Sequence, residues 1–166
     1  MSGAAAWQSL GQVSEVLFLL AMPLMLRKLG VKRTLLIGMA AWALRYVLFA
    51  LGDADSLFAL VLLGLVLHGV CYDFFFVAGQ IYTDRFAPAR VRSAAQGLIS
   101  LATYGVGLLI GSLISGPIVD AFLRADGTHA WQSVWLIPAA LAVVVAVFFV
   151  LAFREDAPAP VPSEPS

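Results

Sequence analysis

The stretch Trp131–Phe153 contains no charged side chain and is apolar almost throughout. A bilayer core about 30 Å thick is crossed by about 20 helical residues, so this stretch alone predicts a transmembrane helix. Four more runs of comparable length precede it: Trp7 to Leu26, Thr34 to Leu51, Ser56 to Tyr82, and Ser93 to Phe122. The third and fourth exceed the minimum and are expected to tilt or to extend past the headgroups. Continuous apolar runs of this kind are unlike the alternating ten-residue segments of a membrane β-barrel. The expected fold class is therefore all-α: a polytopic membrane protein of five transmembrane helices within residues 1–153. Residues 154–166, rich in proline with Asp, Glu and Ser, read as a disordered cytoplasmic tail.

Composition removes other classes. Apolar residues make up 61% of the 166 and charged residues 12%. A soluble domain carries roughly 45–50% and about 25%, and one this small cannot hide so much apolar surface. Net charge is zero, so there is no basic field for nucleic acid. The single cysteine, Cys71, excludes an internal disulfide framework and a cysteine-based metal site. His68 has only His129, in an outer connection, as a second histidine, so no metal is expected. Neither a nucleophile–base arrangement nor a phosphate-cradling glycine loop is present. The chain does not read as an enzyme, and no cofactor is expected.

Basic residues set the orientation. Arg27, Lys28, Lys32 and Arg33 fall in the first connection, Arg85, Arg90 and Arg92 in the third, and Arg154 at the start of the tail. Only Arg124 falls on the opposite side, while Arg45 lies within a span. The expected topology places the N-terminus outside the cell membrane and the C-terminus in the cytoplasm. Trp7, Trp131 and Trp135 then lie near the outer interface, as aromatic belts do. The first span has Glu15 inside it and no basic flank ahead of it, which argues against a signal peptide. Five spans beginning outside read as a bundle without its front, hence as a fragment.

Polar groups within spans need a reason, because a charge at the bilayer centre costs about 2.5–3.5 kcal/mol on insertion scales. In the first span, Gln8, Gln12 and Glu15 share one helix face. They form a stripe able to donate and accept several hydrogen bonds. The bland alternative is that Gln8 sits near the interface and Gln12 joins helices together. In the third span, His68 and Tyr72 share a face, with Asp73 about 100° further round. A ring beside a titratable group suits a planar ligand. Asp73 reads equally as a proton-relay carboxyl or as the partner of Arg45 in the second span. Arg45 reads chiefly as structural, or as snorkelling outward. The small residues Gly107, Gly111, Ser112 and Gly116 of the fourth span suggest close helix packing.

The segments LGQVSEVLFLLAMPLMLRKLGVKR, AWALRYVLFALGD, GVCYDFFFVAG, VRSAAQGL and AWQSVWLIPA, taken in that order, resemble the nucleoside:proton symporter family of the major facilitator superfamily. The resemblance covers about Leu10 to Phe153 and matches the last five of twelve helices. It implies two six-helix bundles with substrate held between them near the midplane and alternating access by rocking. This chain would then supply helices eight to twelve and would need the preceding helices to transport. The resemblance assigns substrate contacts to Gln12 and Glu15 and to the ring positions His68 and Tyr72. Proton coupling or a structural ion pair falls to Glu15, Asp73 and Arg45. It also implies tyrosine at position 68 and phenylalanine at position 72, where this chain differs. The expected function is part of a proton-coupled nucleoside transporter, its partners being a nucleoside, protons and the lipid bilayer. A sugar or another small polar metabolite is the alternative cargo, and a non-transporting membrane fragment the alternative class.

Overall fold

A computed structural model describes residues 4–53 and 55–154, without the side chains of residues 4–6 and 8. Four helices account for nearly all of them: α1 (Ala4–Leu51), α2 (Phe58–Phe86), α3 (Arg92–Ala121) and α4 (Trp131–Ala152). All four are long and apolar enough to cross a membrane. Among the described residues, β pairing is confined to one isolated bridge between Leu123 and His129. The all-α polytopic class is therefore as expected, with the first two expected spans run together in one element.

The difference lies in α1. Its 48 residues are twice what one crossing needs, and they divide at Gly30, where φ is 76° and ψ is 175°. The two arms, residues 4–29 and 31–51, correspond to the first two expected spans. A loop over Arg27–Arg33 does not form, and helix runs up to Gly30 and resumes directly after it. Glycine adopts this left-handed φ without a Cβ clash, so one residue performs the turn. Fully buried Thr34 completes it by donating its hydroxyl to the Gly30 carbonyl at 2.7 Å.

α2 packs across both arms, and α4 lies along the second. The core forms where α2 crosses near the elbow, from Met22, Leu26, Val31, Leu35, Phe74 and Ala78. Two glycines set the closeness of the crossing. A Cβ on Gly69 would stand 2.5 Å from the Ser14 carbonyl carbon, and one on Gly38 would stand 2.8 Å from that of Phe74. Buried Ser14 fastens the first crossing: its hydroxyl donates to the Gly11 carbonyl at 2.6 Å and accepts the Gly69 N–H at 3.0 Å. Small residues give backbones this approach in lipid, where apolar burial supplies no drive between helices. α4 runs antiparallel to the second arm. Tyr46 stacks on Trp135 near one end, and Lys32 donates to the Phe153 carbonyl at 2.6 Å at the other.

Among the described residues, the small residues of α3 face no partner. A Cβ on Gly111 or Gly116 would meet nothing within 4 Å, and no residue of α3 is buried. The helix continues through Pro117 to Ala121. Both α2 and α3 contain a π-helical turn, over Asp73–Val77 and Leu101–Gly107. Such turns insert an extra residue and are frequent at functional sites. Of the expected tail, residues 155–166 lie outside the described residues, as does the side chain of Gln8.

Candidate functional site

The polar residues of three helical segments converge beside the Ser14–Gly69 crossing. Glu15 follows Ser14 on the first arm of α1, and His68 precedes Gly69 on α2, so the crossing that joins the backbones also brings these side chains together. His68 Nε2 lies 2.8 Å from Glu15 Oε1, with the two side chains 30% and 28% exposed. The other ring nitrogen, Nδ1, is 2.5 Å from Arg45 Nη1 on the second arm. Glu15, His68 and Arg45 thus form one hydrogen-bonded chain across α1, α2 and back to α1. Gly11 leaves room for it, since a Cβ there would stand 3.3 Å from the His68 ring.

Arg45 is held from several sides. Its guanidinium carbon lies 5.6 Å from the Trp42 ring centroid and 5.3 Å from that of Phe49, both on its own arm. These cation–π contacts restrain a charge that would otherwise reach for water. The expected pairing of Arg45 with Asp73 does not occur. Asp73 is 2% exposed in the π-helical turn, and its Oδ2 has no hydrogen-bond partner, nor has Arg45 Nε. The extra residue of the turn and the 100° offset between positions 72 and 73 carry the carboxyl away from the His68 face. Arg45 therefore does not snorkel outward; it turns inward to the imidazole.

His68 and Tyr72 do share a face, with ring centroids 6.0 Å apart. Tyr72 continues the polar line away from Arg45, its hydroxyl lying 2.8 Å from that of Tyr104 in the π-helical turn of α3. Phe76 stacks on Tyr104 and touches Tyr72, bridging the two π-helical turns with rings. Phe74, beside Asp73, is buried in the core. Tyr104 was not singled out from the sequence. A lone tyrosine in a glycine-rich span carries no signal of its own, and only the facing turns place it at the site.

Gln12, Arg45 and His68 line a cleft of about 830 Å³ together with Asp53, Phe58, Trp131 and Trp135. Trp7 packs edge-on to Phe58 at the same end, so the three tryptophans expected at one interface do gather there. Gln12 is exposed, one turn before Glu15. The arrangement can offer an amide, a carboxylate and a phenol to a small polar molecule, with aromatic faces beside them. A buried carboxyl, that of Asp73, sits a single residue beyond.

Comparison with known proteins agrees with the residues. The family model described as "Nucleoside H+ symporter" matches residues 1–158. YegT of Escherichia coli (strain K12) is 41% identical over 163 residues, covering 94% of this chain and 38% of that protein. Xanthosine permease of the same organism is 38% identical over 147 residues, covering 88% of this chain and 35% of its own length. The crystal structure of nucleoside transporter NupG superposes with a TM-score of 0.84 at 34% identity, covering 92% of this chain and 38% of that one. The chain thus spans little more than a third of the length of these relatives. These transporter relatives, together with four membrane-length helices, make it a multi-pass membrane protein. It belongs to the nucleoside H+ symporter family.

Proposed function

We propose that this chain supplies one wall of a proton-coupled nucleoside transporter that works by alternating access in the cell membrane. The observation that carries the reading is the junction of Gln12, Glu15, His68 and Tyr72 beside an open cleft, on helices crossing too closely to be accidental neighbours. A membrane interior tolerates a carboxylate where a cavity and partners receive it. Glu15 has its partner in His68, and Gln12, which precedes it on the same face, lines the cleft. In this reading the nucleoside stacks beside Tyr72 and hydrogen-bonds Gln12 and Glu15. Names of relatives such as xanthosine permease favour this class of cargo. The basic residues of the connections favour an outer N-terminus and a cytoplasmic C-terminus. Further helices are expected to close the site opposite α3.

Asp73 takes the coupling role in this scheme. A buried carboxyl oxygen without a partner holds no neighbour in place, so it is free to exchange a proton as the cavity opens to one side and then the other. The test is uptake of labelled nucleoside by a twelve-helix transporter carrying these residues, with and without a protonophore and with sugars as competitors. Glu15→Gln is expected to lower uptake at least about tenfold, the loss of one charge-assisted hydrogen bond, with normal folded yield. Asp73→Asn should fold and bind nucleoside while losing accumulation against a gradient. Unaltered uptake in Glu15→Gln would remove that residue from the site. Competition by sugars, and none by nucleosides, would change the cargo.

A further inference from the structure

Both nitrogens of the His68 ring are engaged, and the chemistry of the two partners is unequal. Arg45 has only donors to offer, since a guanidinium stays protonated and has no acceptor. The contact of Arg45 Nη1 with Nδ1 at 2.5 Å therefore requires a lone pair on Nδ1. A neutral imidazole with its lone pair on Nδ1 carries its one proton on Nε2. That is the nitrogen 2.8 Å from Glu15 Oε1, an acceptor. We propose that Arg45 is a positioning residue of the candidate site: by occupying Nδ1 it fixes His68 as the Nε2–H tautomer and aims the ring's single proton at Glu15.

Three consequences follow from the geometry. Glu15 Oε1 is committed to the ring, so Oε2 is the oxygen left to meet substrate. His68 presents its ring face, not a free nitrogen, to anything stacked beside Tyr72. Arg45, though on the second arm and outside the stripe from Gln12 to Glu15, governs where the Glu15 carboxylate points. The cation–π contacts with Trp42 and Phe49 hold the guanidinium at the distance this needs. Secondary partners that orient a histidine by occupying its far nitrogen are a general device for fixing its tautomer. The inference rests on reading Glu15 as substrate-contacting, but its test does not.

The test reads the tautomer directly. The chain has two histidines, His68 and His129, so ring ¹⁵N labelling in lipid nanodiscs gives two sets of signals, and a His129→Gln spectrum assigns them. At pH 7 the unsubstituted chain is expected to show His68 protonated at Nε2 and bare at Nδ1. Arg45→Leu, monodisperse by size exclusion, should release the ring to a mixture of tautomers or to the doubly protonated form. Arg45→Lys, which still donates, should restore the Nε2–H form in part. In a twelve-helix transporter Arg45→Leu should weaken nucleoside binding about tenfold, as loss of one oriented charged hydrogen bond does, and Arg45→Lys should recover part of it. A proton on Nδ1 in the unsubstituted chain overturns the proposal even if Arg45→Leu fails to fold, and so does an unchanged ring in a folded Arg45→Leu. Absence of nucleoside uptake with the expected tautomer would refute the transport reading and leave the role of Arg45 standing.

Discussion

α2 and α3 are nearly the same object by composition and opposite objects by packing. They span 29 and 30 residues, both are strongly apolar, and each contains a π-helical turn. Yet α2 buries Gly64, Gly69, Cys71, Asp73, Phe74 and Ala78, and α3 buries none of its residues. Both also carry small residues, and within this chain only those of α2 meet a neighbouring helix. What distinguishes Gly69 from Gly116 is the backbone facing it: the Ser14 carbonyl stands where a Cβ would go on Gly69, and nothing stands opposite Gly116. In lipid, apolar character is satisfied equally by tails and by helices, so contact depends on matching shapes and on hydrogen bonds such as that of Ser14.

This contrast is open to direct attack by mutation, read as thermal unfolding of the purified protein in detergent. Gly69→Ala should be the most damaging change, at about 3 kcal/mol or outright loss of folding, because the atoms the new Cβ meets are all backbone. A melting temperature equal to that of the parent would mean the crossing is looser than described. Phe74→Ala should cost about 3 kcal/mol, since it empties the centre of the core beside Met22 and Leu35. Lys32→Met removes the donor on the Phe153 carbonyl at the end of α4 and is expected to cost about 1 kcal/mol, with faster exchange of amides in the last turn. Gly116→Ala on α3 should lie within about 0.5 kcal/mol of the parent. If it proved as damaging as Gly69→Ala, α3 would have a partner on that face.

The spans, the all-α class and the shared faces were legible in the sequence because they depend on run length and helical period alone. Trp131–Phe153 could hardly be anything but a crossing, and Gln12, Glu15, His68 and Tyr72 could be gathered by spacing. What escaped depends on single dihedrals or on distances between helices. The turn at Gly30 looked like a seven-residue basic loop because arginines and lysines surround it, and nothing local distinguishes one left-handed glycine from a flexible connection. The two π-helical turns have no composition signal, so nothing in the sequence brings Tyr104 to Tyr72. The charge of Arg45 admits Asp73 as one possible partner, whereas the crossing of the second arm over α2 delivers it to the His68 ring.

The sharpness of the Gly30 turn fixes how the gene encoding this protein can vary. A loop between crossings absorbs gained or lost codons as slack, but here helix abuts helix across one residue. One extra residue in the arm after Gly30 would rotate everything beyond it by about 100°, swinging Arg45 off His68 and Gly38 off Phe74 together. Length variation between the first two crossings should therefore be selected against more strongly than substitution there. Deep sequencing of a library of single-codon insertions over residues 27–37 would record that as a gap in the surviving lengths.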